Sequence, residues 1–95
     1  MSQELEIFPE HIINFLTERH KKGEPITKNY ELDFDGKPYL WVGTVKSMDE
    51  ALKKAMSLKK ERIPYYVYEF SYPTQGAVFY FYSPKKFAID AAEHL

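Results

Sequence analysis

The sequence has 95 residues, of which 44% are hydrophobic and 28% are charged, the composition of an ordinary globular chain long enough for one domain. Cysteine is absent, which excludes disulfides, thiolate nucleophiles and zinc sites that need sulfur. Basic and acidic residues number 13 and 14, so the net charge of −1 gives no overall attraction to nucleic acid or an anionic membrane. No basic leader or long apolar run opens the chain, so we expect a cytoplasmic protein without an export signal or membrane span.

The first predicted helix covers residues 9–22. Pro9 suits a first helical turn, and Gly23 supplies the left-handed residue that commonly ends a helix. The apolar residues of this segment recur with helical spacing and form one stripe: Phe8, Ile12, Phe15 and Leu16. We therefore expect an amphipathic helix with one buried side.

A β-hairpin is predicted next. Apolar and polar residues alternate from Ile26 to Phe34, and Asp35-Gly36 is a strong signal for a two-residue type I′ turn. Closing this turn pairs Phe34 with Lys37 and Leu32 with Tyr39. The predicted core face comprises Tyr30, Leu32, Phe34, Tyr39, Trp41 and Val45, while Leu40 and Val42 fall on the other face. Gly43 lies inside the second strand and indicates a β-bulge or a close approach.

The second predicted helix covers residues 48–61. Ser47 and Glu50 form a capping box, in which the serine hydroxyl accepts from the backbone N–H three residues on. The predicted buried stripe comprises Met48, Ala51, Leu52, Ala55 and Met56. The predicted solvated side comprises Lys53, Lys54, Lys60 and Glu61.

A second hairpin and a last helix complete the chain. Residues 65–72 and 77–82 are predicted strands, joined by a four-residue turn over 73–76, which pairs Phe70 with Phe79 and Tyr68 with Phe81. One face then carries Tyr66, Tyr68, Phe70, Phe79 and Phe81, and the other carries Tyr65, Val67, Glu69, Tyr80 and Tyr82. Ser83-Pro84 is predicted to cap a helix lined by Phe87, Ala88, Ala91, Ala92 and Leu95.

These elements predict a single α+β domain over residues 1–95. We expect a two-layer sandwich in which a four-stranded antiparallel sheet carries its helices mainly on one face, in the order α-ββα-ββα. One layer of helices leaves the opposite face open, and aromatic residues make up 17% of the sequence. The candidate binding residues are the members of that open face: Leu40, Val42, Tyr65, Val67, Glu69, Tyr80 and Tyr82.

This open face makes a non-enzymatic protein-interaction module or regulator the leading hypothesis, with a protein partner or a second copy as its occupant. The hypothesis depends on the face being bare; if helix one covers it, an enclosed cavity for a small molecule takes its place. The histidines His11, His20 and His94 have no spacing typical of a metal site, so no metal or cofactor is assigned. Glu69 is a weaker candidate for an acid or base, because a single titratable residue rarely suffices for catalysis.

A single-stranded nucleic-acid binder is the alternative function, and a small-molecule binder is the third. The segments Leu40–Val45 and Gly76–Tyr82 resemble, in their order with the helices, the RNA-recognition-motif domain, which implies bases stacking on Trp41 and Phe79. Ala77 stands where that family places a ring, and we assign no family from the resemblance.

The distribution of charged residues along the sequence also bears on the choice of ligand. Residues 1–36 carry four basic and eight acidic groups, net −4, and residues 37–95 carry nine basic and six acidic groups, net +3. Lys85 and Lys86 open the last predicted helix, where positive charge opposes the helix dipole. A solvated surface explains them most simply, and contact with an anion is the alternative.

Overall fold

The computed structural model describes residues 5–92. Within them the elements are α1 (Glu10–Lys21), β1 (Glu31–Phe34), β2 (Lys37–Val45), α2 (Met48–Lys60), β3 (Tyr66–Tyr72), β4 (Gly76–Pro84), a 3₁₀ turn (Lys85–Phe87) and α3 (Ala88–Ala92). The strands form one antiparallel sheet in the order β1-β2-β4-β3. The predicted α+β class and the α-ββα-ββα order are confirmed.

The first hairpin has the predicted register. Asp35 and Gly36 have φ angles of 55° and 75°, the positive values that a type I′ turn requires at both central positions. Phe34 therefore pairs with Lys37 and Leu32 with Tyr39. The short turn leaves no freedom in the register, which is why the sequence is sufficient to predict it.

A β-bulge interrupts the pairing of β2 with β4, as Gly43 indicates. Trp41 lies opposite Tyr82 and Gly43 opposite Phe81, so Val42 is an extra residue in β2. The insertion shifts the alternation of every residue after it. Val45 pairs with Phe79 and packs with the opposite face from Trp41, so its predicted place on the same face as Trp41 is wrong.

The second hairpin differs from its predicted register by one residue. Tyr72 pairs with Gly76, which has a φ of 79°, so the loop contains three residues and not four. Phe70 consequently lies opposite Val78, and Tyr68 opposite Tyr80. A slip of one residue turns every side chain of β4 to the other face of the sheet. The predicted grouping of Phe79 and Phe81 with Tyr68 is therefore wrong.

Helices cover both faces of the sheet. Helices α2 and α3 pack against the face that carries Val67, Phe79 and Phe81. The opposite face carries Tyr68, Tyr80 and Tyr82, and α1 covers it with Ile12 and Leu16. The other buried residues of the first core are Val42, Ala51, Ala55, Leu58, Ile63, Tyr65, Ala88 and Ala91. Those of the second core are Phe8, Ile26, Leu32, Tyr39 and Val78.

The predicted open face is thus absent, and the reason lies in the segment before α1. The N–H of Val67 donates to the carbonyl of Glu6 at 2.8 Å, and the N–H of Phe8 donates to the carbonyl of Val67 at 3.2 Å. Through this parallel pairing, residues 6–8 lie along the outer edge of β3. Helix α1 therefore begins beside the sheet and packs across its second face. The Phe8 ring completes the attachment, with ring centroids 5.2 Å from Tyr66 and 5.5 Å from Tyr82.

Helix α2 is turned relative to its predicted orientation. Met48 and Met56, predicted to be buried, are 50% and 52% exposed, whereas Lys54, predicted to be solvated, is 4% exposed. The small side chains of Ala51 and Ala55 let the helix approach the sheet closely and so face inward. The Lys54 ammonium lies 5.6 Å from the centre of the Phe81 ring and donates to the carbonyl of Ala91 at 3.4 Å.

Only one of the two predicted capping serines caps a helix. Ser47 caps α2 as expected, since its hydroxyl accepts from the N–H of Glu50 at 3.1 Å. Ser83 belongs to β4, opposite Leu40, and is fully buried, so its predicted role as a helix cap is wrong. Among the described residues, no group bonds its hydroxyl. The last helix begins with the 3₁₀ turn that follows Pro84, and Leu95 and His94 lie outside the described residues.

Alanine substitutions at the two serines are expected to change stability in opposite directions. Ser47→Ala removes a cap and should lower the free energy of unfolding by about 1 kcal/mol. Ser83→Ala removes a buried hydroxyl that gains no bond on folding and should raise it by about 0.5–2 kcal/mol. Urea unfolding of both variants beside the parent protein measures the two changes. A loss of stability in Ser83→Ala would show that this hydroxyl has a partner in solution.

Candidate binding groove

Five segments meet at one end of the sheet because of its antiparallel topology. Both β2 and β3 run antiparallel to β4, so their first residues lie beside its last ones: Tyr39 pairs with Pro84, and Tyr66 with Tyr82. The turn before β2, the end of α2, the linker into β3 and the 3₁₀ turn after β4 consequently come together. The N-terminal segment joins them through its pairing with Val67.

Three of these segments, the start of β2, the linker at Pro64 and the 3₁₀ turn after β4, line a partly open groove of about 660 Å³, which we call the lysine groove. Its floor is apolar and its rim is cationic, since three prolines and two aromatic rings lie between three exposed lysines. The lining residues are Lys37, Pro38, Tyr39, Pro64, Pro84, Lys85, Lys86 and Phe87. Prolines and buried rings are rigid, so a ligand can bind to this floor without ordering it.

A second cavity of about 400 Å³ adjoins the lysine groove, and Pro64 lines both. We call it the Arg62 cavity, because it lies where α2 ends. Its lining residues are Glu6, Lys59, Arg62, Ile63, Pro64, Tyr65 and Tyr66. We refer to the two cavities together as the depression.

Positive charge predominates along this depression. Lys37, Lys85 and Lys86 line the lysine groove, and Lys59 and Arg62 line the Arg62 cavity. The nearby carboxylates are fewer. Glu6 lines the Arg62 cavity, and Glu31 accepts from Lys85 at 3.0 Å on the protein surface. An exposed ion pair of this kind is weak, so Lys85 remains available to a stronger anionic partner.

The groove also offers apolar surface, and the tyrosine that lines it is neutral. The Lys86 ammonium lies 5.3 Å from the centre of the Phe87 ring, so the lysine stem widens the apolar floor. Tyr39 is buried in that floor. Burial, with smaller contributions from Tyr66 and Asp35, raises the pKa of Tyr39 above its usual value, so its hydroxyl keeps its proton. A ligand that combines apolar and acidic groups would meet complementary surface along the whole floor and rim.

The structure does not bring the seven sequence-predicted binding residues together. Three of them are buried beneath α2 and α3, namely Val42, Tyr65 and Val67, and Leu40 is half-buried beside them. Two are buried beneath α1, namely Tyr80 and Tyr82, and Glu69 is exposed. Only Tyr65 lines one of the two cavities described above. The expectation that these residues form one exposed face is therefore wrong, and an interaction module can no longer be argued from that face.

Several tyrosine hydroxyls on the second face form hydrogen bonds within the protein. Tyr72 bonds both Tyr80 at 2.6 Å and His20 at 2.9 Å through its hydroxyl, and Tyr82 donates to the carbonyl of Ile26. Burial is the largest cause that raises the pKa values of Tyr80 and Tyr82 above that of an ordinary tyrosine. Burial also lowers the pKa of His20. This network satisfies polar groups beneath α1.

The described part of the chain gives no sign of a metal site. No cluster of three or more His, Asp or Glu residues in positions 5–92 could hold a metal ion. Over the same residues, no helix combines the length and apolar character needed to cross a bilayer.

Comparison of the chain with protein-family models, curated proteins and solved structures finds no match. The geometry of the groove is therefore the basis for the functional proposal.

Proposed function

We propose that this protein is a non-enzymatic interaction module that binds an extended acidic segment of a partner protein in the lysine groove. The observation that carries the proposal is the apolar floor of prolines and rings between Lys37, Lys85 and Lys86. Acidic side chains of the segment pair with the lysines, and apolar side chains between them pack on the floor. The partner's charge is thus complementary to the rim.

The shape of the site favours a polypeptide segment over a small molecule. Small-molecule sites commonly bury more than about 70% of the ligand surface in a concave pocket. The lysine groove is partly open and has a second cavity next to it at Pro64, an arrangement that an extended chain could span. Neither cavity lies beneath α1, because α1 packs against the second sheet face and supplies no lining residue to either cavity.

Burial of the sheet rings favours a protein ligand over single-stranded nucleic acid. Sequence-independent binding of single strands depends on rings on which successive bases stack. Phe79 is 2% exposed, and Trp41, the other ring that the RNA-recognition-motif resemblance implies, is half-buried in the core on the opposite face of the sheet, so the two rings do not form one stacking surface. The groove lysines alone would supply only phosphate contacts.

Charge reversal at the rim tests the proposal. The double variant Lys85→Glu/Lys86→Glu is expected to weaken binding of a labelled peptide that repeats Glu-Pro-Glu-Leu by about tenfold or more, because it replaces two attractions with repulsions. The matched control is Lys46→Glu/Lys53→Glu, which makes the same charge change on exposed residues outside the groove. Fluorescence anisotropy gives both dissociation constants.

Three comparisons decide between the candidate ligands. A peptide with Gln in place of Glu should bind much more weakly, and added salt should weaken binding of the acidic peptide. Equal losses in the two double variants would contradict the proposal, because they would show a general charge effect. Tighter, lysine-dependent binding of an oligothymidylate of equal charge would identify a nucleic-acid binder instead. Self-association abolished by Lys85→Glu/Lys86→Glu would identify a second copy as the occupant.

A further inference from the structure

Arg62 ends helix α2 in a backbone conformation that arginine rarely adopts. Its φ is 59°, in the left-handed region. The N–H of Ile63 donates to the carbonyl of Leu58 at 2.9 Å, and the N–H of Arg62 donates to the carbonyl of Lys59 at 3.0 Å. These two bonds form a Schellman motif, whose left-handed position is usually occupied by glycine because a Cβ atom is strained there.

Two other non-glycine residues in the described chain have positive φ, and both have a local explanation. They are Asn29 and Asp35, of the residue types whose short polar side chains tolerate this region. Arg62 has no such side chain. Arg62 is exposed and lines the Arg62 cavity, which shares Pro64 with the lysine groove. An exposed arginine therefore occupies a strained backbone position and lines a cavity beside a basic groove.

We infer that Arg62 determines specificity by binding one carboxylate of the docked segment in the Arg62 cavity. The inference rests on the proposed function and adds a second anchoring point to it. The planar guanidinium can hold a carboxylate through two parallel hydrogen bonds. Lys59, Arg62 and Glu6 together give the cavity a formal charge of +1, which matches a single carboxylate better than a dianionic phosphate. The bound partner segment therefore packs apolar side chains against Pro64 and places an acidic side chain in the Arg62 cavity.

Substitution of Arg62 should separate stability from binding. Arg62→Gly relieves the backbone strain, so Tm should rise by about 3–6 °C, while the acidic peptide should bind about tenfold more weakly. Arg62→Met keeps the backbone strain and a side chain of similar length but loses the positive charge. Tm should therefore stay unchanged, and the acidic peptide should again bind about tenfold more weakly. Asn29→Gly is the control, since it makes a glycine change at a positive φ outside both cavities and should leave binding unchanged.

The outcomes distinguish this inference from the function on which it rests. If Lys85→Glu/Lys86→Glu weakens binding but Arg62→Met binds like the parent protein, the inference is overturned and the proposed function stands. If Lys85→Glu/Lys86→Glu binds like the parent, the proposed function itself fails. If Arg62→Gly lowers Tm, the binding result is taken from Arg62→Met, because that variant retains the Cβ atom and the parent backbone conformation. A peptide with phosphoserine in place of Glu that binds more tightly would overturn the assignment to a carboxylate.

Discussion

Replacing Leu16 with alanine is expected to lower the free energy of unfolding by about 2–5 kcal/mol. Leu16 is fully buried between α1 and the second face of the sheet, so the shorter side chain leaves a cavity against Tyr68 and its neighbours. Marginal stability of a chain this size makes such a loss a large fraction of the total. Urea unfolding monitored by tyrosine and tryptophan fluorescence measures it.

The neighbouring residue provides the control for this prediction. Phe15 is 48% exposed on the outer side of α1, and Phe15→Ala should change stability by no more than about 0.5 kcal/mol. Both residues belong to the apolar stripe seen in the sequence, so the comparison isolates the side of the helix that packs. Equal effects at the two positions would contradict the placement of α1 on the sheet.

Stability is expected to rise with pH between about 8 and 10, through Lys54. Burial lowers the pKa of Lys54 from 10.5 to about 8. Between these values the unfolded chain holds a proton that the folded protein has released, and stability rises with pH wherever the unfolded state binds more protons. A shift of this size corresponds to a rise of about 1–3 kcal/mol. Above pH 10 the trend should reverse, because burial raises the pKa values of Tyr80 and Tyr82 and the unfolded tyrosines ionise first.

Lys54→Met should remove the rise between pH 8 and 10, since no titrating group then remains at that position. Lys53→Met is the matched control, because Lys53 is the preceding residue of α2 and is exposed. Denaturant titrations at a series of pH values measure the slopes. A rise that persists in Lys54→Met, or one that disappears in Lys53→Met, would assign the effect to another group.

The sequence predicts each element but not both hairpin registers. Asp35-Gly36 admits only a two-residue turn, so the first hairpin is determined locally. The second hairpin has Pro73, Thr74 and Gln75 before Gly76, and the sequence alone does not show that Gly76 already pairs with Tyr72. That ambiguity of one residue exchanges the two faces of β4. It is the reason the predicted binding face combined Tyr80 and Tyr82 with residues of the opposite core.

The packing of the helices also depends on information beyond local pattern. Hydropathy favours Met48 and Met56 as core residues of α2, but the helix packs through Ala51, Ala55 and Leu58 and buries Lys54 instead. Which stripe faces the sheet depends on how closely the helix approaches it. The position of α1 depends on the pairing of residues 6–8 with Val67, a contact between distant parts of the chain.

The lysine groove could not be located from the sequence, because the topology of the sheet assembles it from segments far apart along the chain. One local signal does point to it: Lys85 and Lys86 open a helical segment where cations oppose the helix dipole. The sequence leaves contact with an anion as the alternative to a solvated surface for these lysines. Only the fold shows that Pro38, Pro64 and Phe87 lie beside them.

A map of where an acidic segment binds tests the lysine groove directly. Titration of isotope-labelled protein with the Glu-Pro-Glu-Leu peptide, followed by amide chemical shifts, reports every residue in one experiment. We expect saturable shifts at the ends of the strands and the turn that line the depression, residues 37–39, 62–66 and 84–87, with small changes along the outer side of α1. Saturable shifts centred on α1 or on the exposed side of α2, with residues 84–87 unaffected, would contradict the lysine groove as the binding site.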